Sequence, residues 1–152
     1  MNKLNFPEFN FNIRKAELKT EIFDKIRKKW VVLTPEEWVR QHTIWYLTDF
    51  LNYPEYMISV EKEFFLFKTS QKADIVVFNK QAKPILLVEC KAPTVKIDPN
   101  TLNQAVRYCI ELKSKIILLT NGTKHIVVKV DGNKSTFLNN IPNFDDLQKQ
   151  ID

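Results

Sequence analysis

Two acids and a lysine interrupt what would otherwise be buried aliphatic strands. Asp74 opens the run Ile75-Val76-Val77-Phe78, and Glu89 and Lys91 break the end of Ile85-Leu86-Leu87-Val88-Glu89-Cys90-Lys91. Residues two apart on a strand share a face, so Glu89 and Lys91 project together while Cys90 points away. A turn centred between Gln81 and Ala82 sets Asp74 opposite Glu89, and cross-strand partners lie about 4.5–5.5 Å apart at Cβ. Two carboxylates at that distance repel unless a cation lies between them. A hard cation such as Mg²⁺ needs few protein carboxylates and keeps positions for water and phosphate oxygens. The same residues also describe a salt-bridged strand end, with Lys91 neutralising one acid at the sheet rim. Geometry alone leaves both readings open.

Two further groups bear on the choice. Gln104 and Tyr108 are spaced i,i+4 on the helix expected after the Glu89 strand, so they share a helical face where an amide and a phenol can hold a phosphate or brace a metal site. Glu37 falls in the first long helix with Arg40 three residues on, but it is also the N3 member of a capping box with Thr34. Other chemistries are missing their motifs. The two glycines, Gly122 and Gly132, form no phosphate loop, and there is no nucleophile elbow, zinc-protease helix or dinucleotide fingerprint. His42 and His125 are expected to be structural.

Elements must carry these groups. Lys15–Lys29 reads as a short basic amphipathic helix with Ile22, Phe23 and Ile26 on one face, and Trp30–Leu33 as a strand. Thr34-Pro35-Glu36-Glu37 is a strong helix start. That helix is expected to run to about Leu51, burying Trp38, Val39, His42, Trp45, Tyr46 and Phe50. Strands over Ile58–Phe67, Ala73–Phe78 and Ile85–Lys91, separated by turns at Lys68–Lys72 and Asn79–Pro84, form an antiparallel meander whose aliphatic third strand is central. A second helix from Asp98-Pro99-Asn100 to Leu112 carries Leu102, Ala105, Val106 and Cys109 on its apolar stripe. Strands follow at Lys115–Thr120, His125–Val130 and Phe137-Leu138. The order implies an α/β fold with a mixed sheet.

Length and composition agree. At 152 residues, 44% hydrophobic and 27% charged, the chain suits one globular domain, residues 1–152. A net charge of +5 permits a polyanionic partner. Cys90 and Cys109 have no metal-finger spacing and read as reduced buried thiols. No run resembles a signal peptide or spans a bilayer, so a cytoplasmic protein without a membrane role is expected.

The ordered set of residues resembles a known family. Asp74, with Glu89-Cys90-Lys91 fifteen residues on, resembles the split Asp…Glu-x-Lys motif of the PD-(D/E)XK nuclease superfamily, and Gln104-Ala-Val-Arg-Tyr108 its Gln-x-x-x-Tyr element. With Leu33-Thr-Pro-Glu-Glu-Trp-Val-Arg-Gln41, Leu87-Val-Glu-Cys-Lys-Ala-Pro93 and Thr120-Asn-Gly122, the chain is similar to the N-terminal nuclease domain of type I restriction enzyme R subunits, from about Phe6 to Phe144. The resemblance implies a restriction-endonuclease-like core, a mixed central sheet flanked by helices, and Mg²⁺-dependent hydrolysis of DNA, with Mn²⁺ as a substitute. It implies Asp74, Glu89 and the Cys90 backbone carbonyl as metal ligands. Lys91 would act on the attacking water or the transition-state charge, Gln104 and Tyr108 on positioning, and Glu37 as the acid of the first helix. Ala73 replaces the motif's proline. The helicase motor of R subunits has no counterpart, so a standalone endonuclease is expected, alone, as a homodimer or with separate restriction or helicase subunits. The alternative is a catalytically inactive DNA-binding or assembly module.

Overall fold

Ile85–Val88 and Ile116–Leu119 are aliphatic at every position, so both faces of each strand need cover. The computed structural model, which describes residues 1–66 and 68–151, places these runs at the centre of a sheet. β6 (Pro84–Cys90) and β7 (Ile116–Thr120) pair in parallel, from Leu86↔Ile116 to Cys90↔Thr120. The other neighbours are antiparallel: β4 (Ile58–Leu66), β5 (Thr69–Phe78), β8 (His125–Asp131) and β9 (Lys134–Leu138), in the order β4-β5-β6-β7-β8-β9.

Helices cover both faces. α2 (Pro99–Glu111) connects β6 to β7 and packs Ala105, Tyr108 and Cys109 against Val76, Leu87, Ile117 and Val128. On the opposite face, Val39 and Ile44 of α1 (Pro35–Trp45), Leu147 of α3 (Phe144–Ile151), Leu4 and Tyr53 pack against Ile75, Val77, Leu86, Val88 and Leu118. The mixed α/β architecture expected from the sequence is the one observed. Among the described residues no helix is long and apolar enough to cross a membrane.

The N-terminal region departs from expectation. The basic stretch Lys15–Lys29 is no helix: β1 (Ile13–Ala16), β2 (Lys19–Asp24) and β3 (Lys29–Val32) form a separate antiparallel sheet. Alternation explains it. Ile22 and Asp24 are buried and Phe23 between them is partly exposed, a period of two that the helical spacing of Ile22, Phe23 and Ile26 obscures. The turn after β2 is fixed by Asp24, whose Oδ1 accepts the Ile26 and Arg27 N–H groups at 2.8 Å each.

Smaller corrections have similar causes. Lys68 takes φ +65°, so the chain reverses tightly and Thr69–Lys72 join β5 instead of forming a polar turn. Phe67, the expected end of the preceding strand, lies outside the described residues. Beyond α1 a wider helical turn, Tyr46–Phe50, carries Phe50 to the surface at 54% exposure, contrary to its expected burial. Thr34 caps α1 as expected, accepting the Glu37 N–H at 3.0 Å, and Asp98 caps α2 by accepting that of Thr101 at 2.7 Å.

Candidate active site

Asp74 sits at an irregularity between β4 and β5. The pairing runs from Val60↔Ile75 to Lys62↔Ala73, and the intervening Glu61 takes φ +53°. Ala73 packs on the α2 side of the sheet and Ile75 on the α1 side, so strict alternation slips at Asp74. Its carboxylate is held from two directions. Oδ1 accepts from Arg40 Nη2 of α1 at 2.7 Å, and Oδ2 accepts the Cys90 N–H at 2.7 Å.

The β5–β6 register is the expected one. Ile75↔Val88 and Val76↔Leu87 carry Asp74 to the level of Glu89, and a bulge at Val77/Phe78 absorbs the turn. The Lys91 N–H bonds Thr120 of β7 at 2.8 Å, so alternation turns the Cys90 N–H toward β5. There the Asp74 side chain takes over from the backbone ladder.

Glu89 feels this arrangement most. Its half-buried carboxyl is pushed up to about 8, first by burial and then by the Asp74 carboxylate, with Lys91 opposing the shift. Glu89, Lys91, Gln104 and Tyr108 line one pocket of about 190 Å³, with Gln71 and Lys72 of β5 on its rim. Four of the expected site residues therefore meet in one cavity, and Asp74 adjoins it through Cys90 and the field it shares with Glu89. Among the described residues the buried Tyr108 hydroxyl has no hydrogen-bond partner. Burial, then Glu89 and Glu111, push its phenol up to about 12.

Glu37 lies elsewhere. It is buried, and instead of closing the capping box its carboxylate binds Arg27 Nη2 at 2.5 Å, Gln41 Nε2 at 3.0 Å and Arg40 Nη1. Arg27 in turn binds Asp24 Oδ2 at 2.6 Å, which also accepts from Gln41 at 2.8 Å. Burial would raise the Asp24 carboxyl, but these bonds together hold it below its ordinary value. A continuous chain of alternating charge thus runs Asp24–Arg27–Glu37–Arg40–Asp74. Glu36, the neighbour of Glu37, faces the site instead. Its carboxyl is raised by burial and then by Asp74, with Arg40 and Lys91 opposing, and it adds to the rise at Glu89. Glu36 and Arg40 share a helical face at i,i+4 spacing and lie 3.4 Å apart.

Among the described residues no three His, Cys, Asp or Glu side chains converge as a ready metal cage. The set at hand is two carboxylates and a backbone. The Cys90 thiol is fully buried and raised by burial and by Asp74, so it is a neutral packing group. Oxygen donors alone fit a hard cation that retains water, and the enforced closeness of Asp74 and Glu89 is relieved by one.

Both histidines are structural. His42 Nδ1 meets the Trp38 carbonyl at 2.8 Å, and His125 bridges Thr120 Oγ1 at 2.7 Å and the Asn5 carbonyl at 2.8 Å. The Thr120-Asn121-Gly122 turn braces the site. Asn121 Oδ1 accepts the Thr123 and Lys124 N–H groups at 3.0 and 2.8 Å, and its Nδ2 ties down the Val95 carbonyl at 2.9 Å, in the loop between Lys91 and α2.

A family model described as type I restriction enzyme R protein N terminus (HSDR_N) matches residues 35–142, from the start of α1 past β9. The chain belongs to that family. The match takes in every expected site residue and leaves the N-terminal sheet outside. A solved fragment structure described as an HsdR subunit of a type I restriction enzyme from Vibrio vulnificus YJ016 shares the fold, with TM-score 0.54 and 21% identity over 78% of this chain. This chain spans 25% of that structure's length. The search of curated proteins returned no match.

Proposed function

We propose that this R-protein N-terminal family member is a metal-dependent DNA endonuclease of the PD-(D/E)XK type, a single nuclease-like domain hydrolysing phosphodiester bonds. The observation that carries this reading is the Asp74–Glu89 carboxylate pair on adjacent strands, beside a pocket that also presents Lys91. Asp74, Glu89 and the Cys90 carbonyl would hold Mg²⁺, or Mn²⁺ in its place, which supplies polarisation of the scissile phosphate and a more acidic bound water. Lys91 shares the Glu89 face and donates toward the attacking water or the charge gathering on the phosphoryl oxygens. Gln104 and Tyr108 offer an amide and a phenolic donor from the pocket's helical wall. Arg40 fixes the rotamer of Asp74, and Glu36 supplies additional negative charge beside it. The chemistry suits DNA as substrate, separate restriction or helicase subunits as partners, a homodimer for double-strand cleavage, and the cytoplasm as location.

Incubation with plasmid DNA and Mg²⁺ or Mn²⁺ tests this. Cleavage that Asp74→Asn and Glu89→Gln each abolish is expected. No cleavage of any DNA form, or cleavage indifferent to both substitutions, overturns it. One observation favours a second reading, a catalytically inactive DNA-binding or assembly module: Arg40 already neutralises Asp74 with a protein cation. On that reading DNA binding persists without turnover in the unsubstituted protein.

A further inference from the structure

We propose that Lys72 is a DNA-backbone contact, joining the pocket beside Glu89 to a wide groove that carries the substrate strand toward it. The inference rests on the nuclease reading for its substrate and adds a binding surface to it. Lys72 is exposed on β5, two residues before Asp74, and it lines two cavities at once. One is the pocket of Glu89, Lys91, Gln104 and Tyr108. The other is a groove of about 870 Å³ between the turn of the N-terminal sheet and the β4–β5 hairpin, bordered by Arg27, Lys29 and Lys62.

Charge along this path favours a polyanion. Among the described residues the exposed Lys29, Lys62 and Lys72 have no salt-bridge partner. Of the groove's two acids, Glu61 is engaged by Arg27 at 3.0 Å, and Glu63 is the cross-strand neighbour of Lys72 without an ion pair to it, so basic groups outnumber acids along the groove. Exposed, unpaired lysines spaced along a groove suit phosphates, whose neutralisation releases counterions. The pocket end has its own vacancy for an acceptor. The Tyr108 hydroxyl, on a residue only 8% exposed, has no partner among the described residues, and a buried donor without one costs free energy that a phosphate oxygen recovers. Lys72 stands where a strand leaving the groove would meet that donor. Phosphate contacts fix register without reading sequence, so this surface serves strand placement, not base recognition.

The test is fluorescence anisotropy of a labelled DNA duplex with Ca²⁺, over a salt series, for the full chain and for Lys72→Ala, Tyr108→Phe and Lys113→Ala, the last lying outside both cavities. Several-fold weaker binding by Lys72→Ala, with a salt slope shallower by about one, and weaker binding by Tyr108→Phe support the proposal, provided Lys113→Ala binds normally. Circular dichroism and thermal melts identify any variant that fails to fold. Affinity and salt slope unchanged in Lys72→Ala overturn it, whether or not the protein cleaves. If plasmid cleavage fails while Lys72→Ala still loses affinity, the nuclease reading falls and the DNA path stands. If the unsubstituted chain binds no DNA, the path falls too.

Discussion

Arg40 Nη2 donates to Asp74 Oδ1 at 2.7 Å, so a cation from the first helix is locked onto an acid of the central sheet. The same guanidinium binds Glu37, and it is almost wholly buried. Truncating it leaves Asp74 without its cation in a poorly solvated place, and leaves Glu37 to Arg27 and Gln41 alone. Arg40→Ala is therefore expected to cost about 3–5 kcal/mol of unfolding free energy, measured by urea denaturation, with Arg40→Lys retaining part. A loss below about 1 kcal/mol would show that the chain of charge carries little stability.

Glu89 gives the metal-free protein a characteristic pH response. Its folded-state value, about 8, lies above the ordinary carboxyl value of 4.5. A raised value means that the stabilising contribution is complete below the unfolded value and is lost as pH rises through the folded one. Thermal midpoints of the metal-free protein should fall across that window, and Glu89→Gln should flatten the fall. Parallel curves for the two proteins would contradict the assignment. A divalent cation that binds here must displace the same proton, so its affinity should rise with pH over the window.

Lys91 separates turnover from binding. It lines the pocket without a salt bridge among the described residues, so its removal breaks no ion pair, although it removes the charge that opposes the rise at Glu89. Lys91→Ala should lower kcat by roughly 10²–10³-fold, the scale of a lost transition-state donor, with KM and folding nearly unchanged. Steady-state cleavage of a supercoiled plasmid provides both constants. An equal fall in affinity would reassign Lys91 to substrate binding.

Gly122 ties the N-terminal segment to the sheet. It takes φ +86°, its carbonyl accepts the Asn5 N–H at 2.7 Å, and a Cβ there would meet Leu4 Cδ2 at 2.8 Å. Gly122→Ala combines an αL penalty of about 1–2 kcal/mol with displacement of Leu4. Faster proteolysis within the first ten residues, at a lowered melting temperature, is the expected result. Unaltered proteolysis would show that Leu4 relocates freely.

The central sheet and its principal acids were legible because they rest on period-two alternation and one turn. Aliphatic runs announced β6 and β7, and the Gln81–Ala82 centre gave the Asp74–Glu89 level despite a bulge that simple pairing ignores. What escaped was set by tertiary partners. The basic stretch at 15–29 has a helical-looking trio, but Asp24 commits its local backbone to a turn and finds Arg27 and Gln41 only in the folded chain. Glu36 and Glu37 are adjacent and chemically alike, and only the positions of Arg27 and Asp74 decide which turns inward. α3 escaped notice because, among its described side chains, only Leu147 is fully buried in the core, a faint period in a polar stretch.

The alternating chain from Asp24 to Asp74 also sets where this protein can be cut. The family match starts at Pro35, an inviting first residue for a shortened form. Such a form would keep Glu37 and Arg40 but lose Arg27 and Asp24, exposing one end of a charge sequence that closes only with β2 and its turn. The smallest piece able to hold Asp74 in place thus begins upstream of the segment that defines the family, and trimming to the match would damage the site from behind.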